Sequence, residues 1–403
     1  MAFHTEVTAT QHAQMLEIIA LLAQKISANL PQVQQFGLLS GLAGQLLFLY
    51  KAHQFNPSLI NEHSFNAALE NLQEHLAEQS FELSNGLAGQ AWVLEYFNQA
   101  EQADYDPNLL EDVDALFQEA LSPHPWGGEI EMVLGLGGYA PYAARRAKFT
   151  DQHALFANIV AGFESTLTTL DDGTLTWSQP ENSVYRFDKE NKHQAEYNLG
   201  LAHGVPGIIA ALLPAYQQPA LADKVRHLLE GGCDWLLAQR NPDRAQTCGY
   251  GSCADGHFNS RLGWCYGDLT IALTLARVGQ ALDRPSYIAA AKEIALHATK
   301  RDPKSGAIND AGLCHGFFGM VTIYQLLNTL MPDAKFVEAQ QFWLDYGLAQ
   351  YAEKGERGLY CYSGISKEYE EEFGFLMGYA GIGLALLAVL DNNPDWADCL
   401  LMA

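Results

Sequence analysis

Apolar residues in this chain gather in blocks that recur along its length. QLLFLYKA (45–52), QAWVLEYF (90–97), IIAALLPAY (208–216), IALTLARV (271–278), MVTIYQLL (320–327) and IGLALLAVL (382–390) are almost continuously apolar over more than two helical turns. Such blocks predict helices buried on every side. Between them lie stretches of another kind, such as LADKVRHLLEGGCDWLLAQ (221–239) and YIAAAKEIALHATK (287–300). Their apolar residues fall at i, i+3, i+4 and i+7 with polar ones opposite, which predicts amphipathic helices lying outside the first set.

A turn signal, Gly-x-x-Gly or a near relative, occurs seven times, in most copies just ahead of such a block. The copies are SGLAG at Gly41, NGLAG at Gly86, LGLGG at Gly135, HGVPG at Gly204, YGDLT at Gly267, HGFFG at Gly316 and MGYAG at Gly378. Only the fifth lacks its second glycine, with Thr270 in that place. The spacings of 45, 49, 69, 63, 49 and 62 residues leave room for one inner and one outer helix per copy. This predicts an all-α fold, a closed α/α toroid of seven inner and seven outer helices, built as one domain over residues 1–403. An open solenoid would need polar caps at its ends, and here the first and last copies look like the middle ones. Closure would bring all seven turns to one mouth, where glycine lets the backbone turn tightly.

Two stretches depart from the pattern. DDGTLTWSQPENSVYRFD (171–188), rich in Thr, Trp, Val and turn residues, predicts a β-hairpin insertion around 170–190 on the rim. EKGERGLYCYSGISKEYEEEFG (353–374) predicts a surface loop ending in a solvated acidic run.

Composition narrows the function. Hydrophobic residues make up 48% of the 403 and charged ones 17%, as in an ordered globular protein. The formal charge of −24, from 47 acidic and 23 basic residues, repels polyphosphate and argues against a nucleic-acid partner while tolerating neutral or basic peptides. No apolar run approaches the roughly 20 residues of a membrane span. The amino-terminal stretch lacks the basic start and small-residue cleavage site of a signal peptide, so a cytoplasmic protein is expected.

Seven cysteines, at 233, 248, 253, 265, 314, 361 and 399, form an odd set, which disfavours a disulfide framework. Cys233, Cys361 and Cys399 have no ligand-like neighbours and read as small packed residues. Cys248 and Cys253, spaced by five in TCGYGSCADGH without a partner pair downstream, read as loop residues rather than a second metal pair. His124, His193 and His257 stand alone in polar stretches and are expected at the surface. Asp268 is expected to cap the helix that follows Gly267.

Three turns differ from the rest in what precedes their glycine: AHG with His203, WCYG with Cys265, and LCHG with Cys314 and His315. If the turns converge, Cys265, Cys314 and His315 form a Cys₂His set suited to tetrahedral zinc with one open position, and an open position implies catalysis. Packing alone seldom places reactive side chains at one phase of an internal repeat.

SRLGWCYGD (260–268), GLCHGFFG (312–319) and NLGLAHGVPG (198–207) also resemble the signatures of the lanthionine synthetase C-like family, over essentially the whole chain. The resemblance implies an α/α toroid in which Zn²⁺ is held by Cys265, Cys314 and His315 and in which His203 acts as acid/base. It further places Arg261 and Tyr266 at positions associated with the active site. The family's aspartate corresponds to Glu131, a departure that keeps a carboxylate but sets it one methylene further out.

The implied activity is that of a lanthipeptide cyclase. A cysteine thiol of a dehydrated precursor peptide, activated at zinc, adds to dehydroalanine or dehydrobutyrine, with a dehydratase as a candidate partner. One alternative is a transferase that adds glutathione or another free thiol to dehydroamino acids. A second is a non-catalytic scaffold that binds peptides or thiols, which would not need an acid-equipped open position. An α/α glycosidase would need two carboxylates at the mouth, and the turns supply few acids besides Glu131 and Asp268.

Overall fold

The computed structural model describes residues 7–76, 80–100, 102–183, 187–188, 193–194, 196–243, 245, 247–254 and 258–403. Among them, fourteen α-helices follow in order: α1 (Ala9–Asn29), α2 (Leu42–Phe55), α3 (Glu62–Glu74), α4 (Leu87–Ala100), α5 (Glu111–Ala120), α6 (Tyr139–Arg146), α7 (His153–Ser165), α8 (Val205–Leu212), α9 (Ala222–Ala238), α10 (Asp268–Ala281), α11 (Pro285–Ala298), α12 (Phe317–Leu330), α13 (Ala334–Lys354) and α14 (Tyr379–Asp391). The even-numbered helices follow the seven glycine turns, and α6 is extended at its start by a 3₁₀ turn over Leu136–Gly138. All eight residues of α8 are buried, whereas α9 buries one stripe of Val225, Leu228, Leu229, Gly232, Cys233, Trp235 and Leu236. The continuously apolar blocks are thus inside and the amphipathic ones outside.

The inner helices close on themselves. Each packs on the next, from α2 through α14, and α14 packs back on α2. The turns between them are tied by a second, smaller ring made of backbone alone. Leu39 N donates to Ser84 O, Ser84 N to Val133 O, Met132 N to Ala202 O, Ala202 N to Cys265 O, Trp264 N to Cys314 O, Cys314 N to Leu376 O, and Leu376 N to Leu39 O, at 2.5–3.4 Å. Each step links one glycine turn to the next and the last returns to the first. The seven turns therefore share one mouth, and the fold is the expected α/α toroid.

Glycine is required at these turns by close approach. A Cβ on Gly204 would lie 2.2 Å from the carbonyl oxygen of Asn198, and one on Gly267 would lie 2.1 Å from that of Arg261. Gly267 also has φ of +107°, which side-chain-bearing residues rarely adopt. Below the mouth, the 3₁₀ helix Asp395–Leu400 is tied to three inner helices, by Lys51 of α2 and Tyr96 of α4 at Asp395 and by Arg145 of α6 at Asp398. There Trp264 Nε1 donates to Leu400 O at 3.0 Å, which anchors the residue before Cys265.

The insertion differs from expectation in register. Strand β1 (Leu167–Thr169) starts before the predicted stretch and pairs antiparallel with β2 (Leu175–Trp177), so that the stretch supplies only the second strand of this hairpin. A second ladder joins β3 (Phe187–Asp188) to β4 (His193–Gln194). Trp177 explains the first pairing: it is buried and donates from Nε1 to Phe163 O at 2.9 Å, which pins β2 against the end of α7. The expected loop at 353–374 is likewise more ordered, with a 3₁₀ turn over Gly355–Leu359 and a ladder between β5 (Cys361–Tyr362) and β6 (Tyr369–Glu370). Of its acidic run only Glu370 is simply solvated: Glu371 pairs with Lys25, and Glu372 is half-buried and accepts from Gly374 N.

At the far ends of α4 and α6, Arg146 is buried between Asp114 and Glu95, with Tyr142 donating to Asp114 Oδ1 at 2.7 Å. Removing one member of such a network strands the others in a dry core. Arg146→Met is expected to lower the unfolding free energy by about 3–5 kcal/mol, read by urea denaturation. No helix among the described residues is long and apolar enough to cross a membrane.

Candidate metal centre

Cys265 and Cys314 are neighbours because the ring hydrogen bonds join turns five and six at these residues. Trp264 N donates to Cys314 O, and Cys314 N is held in turn by Leu376 O. Their Sγ atoms and a ring nitrogen of His315 lie within 4.8 Å of one another, with Cys265 Sγ 3.9 Å from His315 Nδ1. Sulfur and nitrogen ligands at about 2.3 and 2.1 Å from a tetrahedral zinc stand roughly 3.6 Å apart, so the set fits a zinc ion with little rearrangement. It is the one Cys/His/Asp/Glu group of this kind among the described residues.

The two thiols differ in charge preference. A hydrogen bond from Cys314, with lesser help from His315 and the charge of Arg261, holds the Cys265 thiol well below its usual range. Its hydrogen bond to Cys265, together with burial, pushes Cys314 well above it. One thiolate is thus stabilised before any cation arrives, and a cation would favour the second.

His203 faces the same mouth from turn four. Its Nδ1 is 2.7 Å from Glu131 Oε2, and Glu131 is completely buried while the imidazole keeps 17% of its side-chain surface open. Glu131 also accepts from Val133 N at 2.9 Å and from Leu134 N at 2.5 Å. The extra methylene relative to aspartate therefore does not break the contact, since the carboxylate folds back onto its own turn and still reaches the imidazole. Tyr266 lies beside His203, with ring centroids 6.4 Å apart, and its hydroxyl accepts from Asn198 Nδ2 at 2.8 Å. Arg261 is half-buried and acts on both thiols through its charge. No side-chain hydrogen bond joins it to Glu131 among the described residues.

Asp268 is not a cap. It is the first residue of α10, fully buried, and accepts from Gly249 N at 2.9 Å and Tyr250 N at 3.0 Å, which fastens the 248–250 loop beneath turn five. Cys248 and Cys253 are buried in that region and take no part in the thiol cluster. Cys233, Cys361 and Cys399 are buried as packed residues, with burial pushing each thiol up. His124 is exposed as expected, while His257 and the side chain of His193 lie outside the described residues.

Three positioning groups were not singled out from the sequence. Gln179, buried in the insertion, donates from Nε2 to the carbonyl of His203. Asn198 and Asp310 each accept from the backbone two residues on, at 2.8 and 3.1 Å, and so shape turns four and six. Both lie six residues before the turn glycine, as does Arg261, so the same repeat read at that phase would have found them.

The class this defines is the α/α toroid with a thiol-bearing mouth. Within it, the chain belongs to the family described as lanthionine synthetase C-like protein, whose model matches residues 32–401. It is 24% identical to the nisin biosynthesis protein NisC of Lactococcus lactis subsp. lactis over 403 aligned positions, which cover 90% of this chain and 88% of that protein. Its fold is similar to that of a nisin cyclase, with a TM-score of 0.71 and 20% identity, over 94% of this chain and 96% of that one.

Proposed function

We propose that this chain is a zinc-dependent lanthipeptide cyclase that adds peptide Cys thiols to dehydroalanine or dehydrobutyrine and so forms (methyl)lanthionine thioether rings. The observation that carries this reading is the meeting, at one mouth of a toroid of this family, of a Cys₂His cluster with a carboxylate-held histidine. Cys265, Cys314 and His315 would hold the zinc, which when bound supplies the Lewis acidity that deprotonates a thiol near neutral pH. The substrate sulfur attacks the β-carbon, the π electron pair moves to the α-carbon and its carbonyl, and His203 gives the proton that completes the product. The thiol's own proton leaves to solvent.

Glu131 keeps the His203 ring in one orientation and tautomer. Arg261 is permanently charged, cannot donate that proton, and stabilises the developing enolate oxygen. Tyr266, fixed by Asn198, lines the mouth beside them. The chain acts as one domain, and its seven free cysteines suit a reducing compartment such as the cytoplasm. Its peptide substrate must first be dehydrated at Ser or Thr, which calls for a dehydratase.

The test uses synthetic peptides carrying one dehydroalanine and one cysteine. Cyclisation leaves the mass unchanged but removes the thiol, so iodoacetamide labelling is expected to disappear with time only when enzyme is present. A separate reaction with glutathione and a cysteine-free dehydroalanine peptide reads the transferase activity as a mass increase. Persistence of the free thiol in the first reaction would overturn the cyclase reading. Glu131→Gln replaces one accepting oxygen by an NH₂ that faces donors. It is expected to slow cyclisation roughly 10–100-fold, the range for losing a hydrogen bond to a charged group, with zinc content unchanged.

A further inference from the structure

The residue just before the glycine is the one that each turn shows to the mouth. In ring order these are Ser40, Asn85, Leu134, His203, Tyr266, His315 and Met377, all exposed or half-buried although their neighbours in the turns are largely buried. The sequence of inter-turn hydrogen bonds fixes who stands beside whom. His203, Tyr266 and His315 occupy three consecutive turns. Leu134 borders this arc on one side and Met377 on the other, while Ser40 and Asn85 lie opposite and hydrogen-bond each other at 2.9 Å.

Leu134 is 41% exposed in a chain that buries most of its leucines. Its position is tied to the chemistry: its amide donates to one oxygen of Glu131 and the imidazole of His203 sits on the other, so one carboxylate holds both. Met377 is tied to the opposite end of the arc. Its neighbour Leu376 accepts from Cys314 N at 2.9 Å, and a Cβ on Gly312, two residues before Cys314, would lie 2.7 Å from the carbonyl of Met377.

We propose that Leu134 and Met377 determine substrate specificity, Leu134 taking an apolar side chain next to the dehydroamino acid and Met377 one next to the attacking cysteine. The inference rests on the cyclase reading above and adds the side chains that the site selects. The assignment follows from adjacency. The proton donor must stand at the α-carbon of the dehydroamino acid, which puts that residue's neighbour against Leu134. The thiol cluster must receive the cysteine, which puts its neighbour against Met377. An apolar side chain gains burial at either shoulder, a polar one loses water there without a partner, and a carboxylate is further opposed by the formal charge of −24.

The test measures kcat/KM for three peptides of one length, with dehydroalanine and cysteine at fixed positions. One has Leu beside both reacting residues, one has Ser beside the dehydroalanine only, and one has Ser beside the cysteine only. The parent chain is expected to favour Leu over Ser about tenfold at each place, near the low end for an apolar contact in a substrate pocket. Leu134→Ser should abolish the preference beside dehydroalanine and leave that beside cysteine, Met377→Ser should do the reverse, and Leu134→Met should keep both. Equal rates for the three peptides, or a preference that survives both serine variants, overturns the inference while leaving the cyclase reading intact. No thioether from any peptide overturns both.

Discussion

Replacing Cys314 by alanine is expected to reduce bound zinc from about one per chain to a small fraction, and thioether formation with it. The substitution separates the metal from the fold. Cys314 holds the toroid together through its backbone, accepting from Trp264 N and donating to Leu376 O, and alanine keeps both bonds. What is lost is one thiol, which leaves Cys265 and His315 as two donors where a stable zinc site needs three or four. The melting temperature of the variant should therefore match that of the parent chain after chelator treatment. Zinc per chain from elemental analysis and melting in the presence of EDTA decide the matter together. Full zinc occupancy in Cys314→Ala would remove Cys314 from the ligand set, and a collapse in melting beyond that of the metal-free parent would give it a structural role instead.

The ring of helices was legible because two independent signals agree on it. The apolar blocks fix which helices are inner, and the glycines fix where each begins, since only glycine fits against the carbonyl six residues before it at positions such as Gly204 and Gly267. Residues that carry a reactive side chain at the turn phase, Cys265, Cys314, His315 and His203, were visible for the same reason. The backbone ring that joins the turns was not, because amide-to-carbonyl bonds carry no residue signature. Asp268 was misread as a cap: an acid at the start of a helix commonly caps it, but here two amides of the 248–250 loop claim the carboxylate. Trp177 drew β2 back toward β1 through a hydrogen bond to α7 that no local pattern encodes. Glu131 could be placed at the site but not weighed, because whether one extra methylene breaks a contact depends on how the turn folds under it.

That turn bears on the role of His203. His203 is held at its ring Nδ1 by Glu131 and at its backbone carbonyl by Gln179, with Tyr266 beside its ring, and none of these contacts involves the thiol cluster. His203 lies outside the Cys265–Cys314–His315 group and is left partly open to the mouth, which fits the proton-donor role proposed for it. His203→Ala is accordingly expected to retain zinc and melt near the parent temperature while slowing thioether formation by ~10²–10⁴, the range for loss of a general acid or base. Zinc content, melting and rate are to be measured on the same preparation. A rate loss accompanied by lost zinc would make His203 a ligand. Unchanged zinc with an unchanged rate would move the proton transfer to solvent and leave the His203–Glu131 pair a purely structural tie between turns three and four.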